Sequence, residues 1–293
     1  MRAVQPPNHN TRQPRLKAPP GACDTHLHVY GPPERYPLSP QRNYTPDPHS
    51  TLEDYLNVHR TLGLERAVIV TGSANGTNNQ ATLDALARMN GTFKGLALLD
   101  PALTNSELSG LKENGFTGFR VKTNGKGGLS FDDTSRMIER VKGFGWHIEF
   151  MSESIAEVLA AVPFLRRLNM PYVFDHVAHA APATAEGNQF KELLRILKTE
   201  EHAWVNLYSF YQLSDDGPPH YADMLSPVQA IIEARPERVI WGSNWPHAGI
   251  RVPMPNDADL FDFLLVAAPD EKIRRLILCD NPARLYGWSS PHS

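Results

Sequence analysis

A (β/α)₈ barrel, an α/β TIM barrel, is the fold class this sequence predicts. From residue 21 onward, short runs of β-forming residues alternate with helical patterns, the signature of βαβ units on a parallel sheet. Eight such runs can be counted, where an open flavodoxin-like sheet, the main competitor, needs only about five. Most are almost continuously apolar, as strands covered on both faces must be. AVIV (67–70), YVF (172–174) and RVIW (238–241) are the clearest.

Residues 1–20 are polar and proline-rich and read as an extended or disordered arm. Residues 21–293 then form a single domain, a size that one α/β barrel commonly reaches. The expected strands cover 23–29, 66–71, 94–99, 118–122, 146–150, 172–174, 203–207 and 238–241. Asn78 and Asn79 are suited to cap the helix QATLDALARMN. SELSGLKEN follows the third strand and stops at Gly115, and DDTSRMIERVKGFG follows the fourth and stops at a glycine in the same way. Further helices are expected over about 153–168, 188–199, 222–234 and 257–278. The stretch 30–51, rich in Pro and Tyr, follows the first strand and so lies over the top of the barrel. It is either a lid or substrate loop, with Tyr44 a candidate contact, or a packed irregular insertion.

Hydrophobic residues make up 41% of the chain and charged residues 21%, an ordinary globular balance. A net charge of −3 without a Lys/Arg run speaks against nucleic acid or an anionic membrane as partner. Cys23 and Cys279 sit at opposite ends of the chain and read as free buried thiols. There is no apolar leader and no run of about 18 apolar residues, so a cytoplasmic location is expected. Neither GxGxxG nor GxxxxGK[ST] occurs, and NGKGG (124–128) is too short and misplaced for either.

The chemistry-bearing residues fall at strand C-termini, where barrel active sites lie. In DTHLH, His26 and His28 share one side of the first strand, because side chains alternate with period two. Two imidazoles so placed can ligate a divalent metal or bind a substrate oxyanion, or make local hydrogen bonds only. Asp175 and His176 end the sixth strand, with His179 in the loop beyond. Asn244 and His247 follow the eighth in WGSNWPH. Asn244 donates and accepts hydrogen bonds but cannot act as a base, whereas His247 can. Arg120 on the fourth strand suits a substrate carboxylate or an ion pair with a nearby acid. Ser73, Asn75 and Asn78 follow the second strand and can bond substrate oxygens, or serve the turn and the helix cap.

Together DTHLHVYGP (24–32), VIVTGSANGTNNQATLDAL (68–86), GFRVK (118–122), VFDH (173–176), VIWGSNWPH (239–247) and NPARLYGW (281–288) resemble the amidohydrolase superfamily (amidohydrolase family 2) over about residues 18–288. The nearest branch is that of the pyrone dicarboxylate lactonases. The resemblance implies a barrel whose site sits at the strand C-termini. Most of the superfamily holds one or two divalent metals there, but the lactonase branch works without one. The histidines matching His26, His28 and His176 polarise the lactone carbonyl, and a last-strand Asp activates water.

This chain departs from that pattern at Asn244, which stands where the lactonase branch has Asp. The WGxNWPH form also occurs in a lactone isomerase that acts on galactarolactone, where a substrate hydroxyl attacks and a base matters less. The branch also carries an Arg beyond the seventh strand, where AWVNLYSFY offers Asn206, Tyr208 and Tyr211. Pyrone dicarboxylate itself is therefore not the expected substrate. The expectation is a hydrolase of a small carboxylated lactone with no essential metal, its oligomeric state open. Catalytic candidates are His26, His28, His176, Asn244 and His247, with Asp175 as a further base. Substrate-binding candidates are Arg120, Ser73, Asn75, Tyr44 and Tyr208. The alternatives are a metal-independent lactone isomerase, an enzyme using a divalent ion such as zinc at His26, His28 and His176, and a non-catalytic acid-binding protein.

Overall fold

The structure is a computed structural model that describes residues 4–123 and 128–289. Eight parallel strands stand side by side in chain order: β1 (Cys23–Leu27), β2 (Arg66–Val70), β3 (Phe93–Ala97), β4 (Phe116–Lys122), β5 (His147–Met151), β6 (Tyr172–Phe174), β7 (Ala203–Asn206) and β8 (Val239–Ile240). The barrel predicted from the sequence is the barrel observed. Its seam is nearly closed by backbone bonds across β8 and β1. The Thr25 N–H donates to the Trp241 carbonyl at 3.0 Å, Asn244 to His26 at 2.8 Å and His28 to Trp245 at 2.7 Å.

Several expected strands run longer than those observed. Residues 28–29, 71, 98–99 and 241 have already left the sheet. All are buried and, His28 and Thr71 apart, apolar, so their composition cannot be told from strand, but their backbone turns out to form the mouth.

The outer ring comprises α1 (Leu52–Leu62), α2 (Gln80–Arg88), α3 (Asn105–Glu113), α4 (Phe131–Val141), α5 (Ile155–Arg167), α6 (Asn188–Thr199), α7 (Leu225–Ala234) and α8 (Asp257–Asp262). Thr51 and Thr104 close capping boxes with Asp54 and Glu107, satisfying helix N-terminal N–H groups on both sides. The single helix expected over 257–278 is broken into α8, short turns at 264–267 and 271–275, and a π-helical turn at 276–280. Pro269 and Asp270 interrupt it.

The apolar side chains divide into two sets. The larger lies between strands and helices. The smaller joins Cys23, Val68, Val70, Leu96, Val173, Trp204 and Ile240, from alternate strand positions, to Leu285 and Tyr286 of the C-terminal helix. These fill the lumen from below, so that only the opposite end can hold a site. Cys23 and Cys279 are free and buried, as expected.

Residues 4–20 form no helix or strand, yet they are anchored. Arg12 Nε donates to Asp259 at 2.8 Å, and the Leu16 N–H donates to Asp262 at 2.8 Å. The stretch 30–51 is packed onto the mouth, with the Tyr30 N–H on the Ser50 carbonyl and the Ser39 N–H on the Ala74 carbonyl, both 2.8 Å. The NGKGG stretch lies outside the described residues apart from Gly128. Among the described residues no helix is long and apolar enough to cross a membrane.

Candidate active site

Each predicted site residue stands at the C-terminal end of the barrel. A register shift in β1 between Asp24 and Leu27 lets the strand turn His26 and His28 inward. Asp24 pins this bulge. Its carboxylate accepts from the His26 N–H at 3.1 Å, the Ser243 N–H at 2.9 Å, the Ser243 hydroxyl at 2.6 Å and the Tyr55 hydroxyl at 3.0 Å. Burial pushes Asp24 up to about 6 against these four bonds.

The His26 and His28 rings meet edge to face at 4.9 Å. The Tyr208 ring stacks on His26 at 3.7 Å and lies 4.8 Å from His176. Burial holds all three imidazoles well below the usual histidine range, and neighbouring Arg120 lowers them further. They are therefore neutral at physiological pH, each with one N–H and one lone pair. The neutral His28 gives its Nδ1–H to the Val70 carbonyl at 2.8 Å, so its Nε2 presents a lone pair. His26 Nδ1 lies 3.0 Å from Glu149. His176 Nδ1 is buried without a protein partner.

Beneath His26 is a buried ion cluster. Arg120 Nε lies 2.9 Å from Glu149, and Arg120 Nη2 lies 3.0 Å from Asp175. The Nη2 contact is a hydrogen bond. The Nε contact is not aligned as one and is held by charge. Of the two roles expected for Arg120, the ion pair is the one observed. Burial raises Glu149 to about 7 although Arg120 pulls the other way. Burial and the like charge of Glu149 hold Asp175 well above the usual carboxyl range. Burial alone would lower Arg120, but the two acids outweigh it and its pKa is raised.

His26, Glu149 and Asp175 offer ligand atoms within 4.8 Å of one another. This metal-capable group differs from the expected set of His26, His28 and His176.

Across β2 the wall is polar and neutral. The Tyr30 and Tyr44 hydroxyls meet at 2.9 Å, and the Ser73 hydroxyl donates to Tyr44 at 3.3 Å. The buried Asn75 amide has neither atom partnered. Asn78 instead accepts from the Gln80 N–H at 3.0 Å in the turn before α2. His179 faces away, with its Nε2 2.7 Å from the Ser152 carbonyl.

Asn244 and His247 both adopt positive φ, 67° and 60°. Asn244 Nδ2 donates to the Tyr211 hydroxyl at 3.0 Å, and that hydroxyl lies 2.8 Å from His247 Nδ1. His247 Nε2 lies 3.0 Å from Asp257. His247 is wholly buried with both ring nitrogens engaged, so it stands behind Tyr211 rather than in the mouth. Glu149 and Asp257 escaped the sequence analysis. A carboxylate alternating with apolar residues in HIEFM was a usable signal for Glu149. Nothing local marks Asp257 in the first turn of α8.

A family model described as amidohydrolase matches residues 23–288. A 4-sulfomuconolactone hydrolase of Hydrogenophaga intermedia is 36% identical over 289 residues, covering 96% of this chain and 93% of the relative. A 2-pyrone-4,6-dicarboxylate hydrolase of Comamonas testosteroni is 31% identical, covering 94% and 93%. A D-galactarolactone isomerase of Agrobacterium fabrum is 28% identical, covering 94% of each chain. An apo crystal structure from Agrobacterium tumefaciens superposes with a TM-score of 0.82 at 28% identity, covering 94% of this chain and 99% of that one. The resemblance drawn from the motifs is borne out.

Proposed function

The chain belongs to the amidohydrolase family, and from that premise we propose that it opens the ring of a small carboxylated lactone by hydrolysis. The observation that carries this reading is the set of neutral imidazoles gathered round one mouth, together with buried polar groups at the same strand ends that have no protein partner. His176 and the Asn75 amide are the donors free to meet a carbonyl oxygen, while Ser73, Tyr44 and Tyr208 hold the remaining substrate oxygens. His28 is an acceptor in its neutral form and orients a hydroxyl or water rather than polarising the carbonyl. Donors preset at the point where negative charge develops are commonly the largest catalytic contribution.

The family makes a divalent ion a question to test on these residues. The outward lone pair of His28 suits a metal ligand. The carboxylates do not, because Arg120 already lies against both Glu149 and Asp175. A dication at that cluster would share a buried space with a guanidinium, and the Tyr208 ring covers His26. These carboxylates do not fit a bound metal, and the proposed reaction uses none.

Asn244 favours a second reading, isomerisation between lactone ring sizes with a substrate hydroxyl as nucleophile. Purified protein assayed on a panel of carboxylated lactones, with and without chelator, decides between them. Ring-opened acid unaffected by chelator is expected. Exchange of ring size without net acid release would replace hydrolysis by isomerisation, and no turnover of any lactone would refute both.

A further inference from the structure

Asn244 leaves the hydrolytic reading without a base at the position its family pattern would use. Asn244 and the three side chains behind it, Tyr211, His247 and Asp257, form one hydrogen-bonded line. Its direction follows from what each group can donate. The Asp257 carboxylate accepts, so His247 carries its proton on Nε2. In that tautomer Nδ1 is bare, and Tyr211 donates to it. The Tyr211 oxygen in turn accepts from Asn244 Nδ2, which leaves the Asn244 Oδ1 as the atom available to a water.

We propose that Tyr211, backed by His247 and Asp257, is the proton acceptor of this enzyme, replacing the carboxylate that Asn244 displaces. The proposal rests on the hydrolase reading above. A water held by Asn244 Oδ1 attacks the lactone carbonyl carbon. Its proton passes to the Tyr211 oxygen as the Tyr211 proton passes to His247 Nδ1, and the imidazolium stands against Asp257. The tetrahedral intermediate then breaks the ring C–O bond, and the ring oxygen takes the proton back along the same line. One lactone and one water give one hydroxy acid, and the relay ends as it began.

Three further observations agree. Asn244, His247 and Ser209 all take up the left-handed region, at φ 67°, 60° and 59°. Non-glycine residues held in that region cluster at functional sites. Burial holds the Tyr211 pKa above its ordinary value, so the phenol starts protonated, as the relay requires. Tyr211 also lines a cavity of about 240 Å³ with Tyr221, Val252 and Pro253.

The experiment uses the intact protein and a lactone that the parent hydrolyses. Tyr211→Phe and Asp257→Asn are expected to lower kcat about 100-fold or more with KM within twofold, the range for losing a general base. An amide at 257 would favour the wrong tautomer of His247. Asn244→Asp placed in the Tyr211→Phe background restores a direct base and is expected to recover at least tenfold in kcat, which a structural role for Tyr211 would not allow. A Tyr211→Phe protein with kcat within threefold of the parent overturns the relay, as does a loss with no recovery in the double variant. Should Tyr211→Phe misfold by circular dichroism, kcat of Asp257→Asn decides by the same threshold. A parent inert on every lactone overturns the hydrolase reading and this role with it, whereas a turning-over parent with an active Tyr211→Phe overturns the relay alone.

Discussion

Replacing Arg120 by methionine tests whether the guanidinium is part of the barrel floor or a hand for the substrate. Arg120 is 3% exposed and lies 2.9 Å from Glu149 and 3.0 Å from Asp175. Taking away one partner of a buried ion pair leaves uncompensated charge and costs about 3–5 kcal/mol. The deficit must depend on pH. Glu149 stands at about 7 and Asp175 well above its ordinary value even with Arg120 present. Without the cation both rise further, and each additional unit is worth about 1.4 kcal/mol. A carboxyl whose folded pKa exceeds its unfolded one opposes folding increasingly as pH climbs from the unfolded toward the folded value. Urea unfolding of Arg120→Met should therefore show a deficit of about 3–5 kcal/mol at pH 8 that shrinks toward pH 5, and Glu149→Gln in the same chain should return part of it at pH 8. A loss under about 1 kcal/mol at pH 8, or one that does not change between pH 5 and 8.5, would refute the assignment. A raised KM with unaltered stability would return Arg120 to the substrate.

His59 is buried against Tyr55 and Phe93, and burial lowers it to about 4. The unfolded chain takes up its proton first as pH falls, so the stability tied to neutral His59 is whole above about pH 7 and lost toward pH 4. Relative to His59→Gln, the parent should lose about 2 kcal/mol between pH 8 and pH 5, measured by urea unfolding; parallel curves would contradict the assignment. A Cβ added at Gly242 would lie 2.7 Å from the His26 Cβ and 2.8 Å from its backbone nitrogen. Gly242→Ala should cost about 1–3 kcal/mol in thermal unfolding and lower kcat together, and an active, stable variant would count against the close approach. Asp262→Ala removes the acceptor for Leu16 and for Arg12. A loss of about 1.5–3 kcal/mol is expected, with faster proteolysis before residue 20, and an unchanged digestion pattern would show the arm to be held otherwise.

The barrel was legible because apolar runs such as AVIV and YVF have no other economical placement than a strand covered on both faces. The histidines were legible because they fall where those runs end. The helix expected over 257–278 was not, since an apolar period continues through the break at Pro269 while the backbone does not. Arg120 was ambiguous for a different reason. Its partner Glu149 lies 29 positions away, and only the register of β4 against β5, which sets Arg120 beside Glu149, decides the matter. The line from Asn244 to Asp257 was hidden for the same cause. Its members are adjacent only through the loops after β7 and β8, which carry no periodic signal.

The meeting of first and last strands has a practical consequence for anyone wishing to redirect this enzyme. β8 has only two residues, so closure falls to the backbone of the segments that carry His26, His28 and Asn244. Exchanging the WGSNWPH segment for a homologue's would thus disturb the cylinder's own joint, and swaps there should be made jointly with DTHLH. The wall of Tyr44, Ser73 and Asn75 hangs from a packed loop on the opposite flank of the first strand and takes no part in that joint. New selectivity is best sought by randomising that wall, leaving the hoop intact.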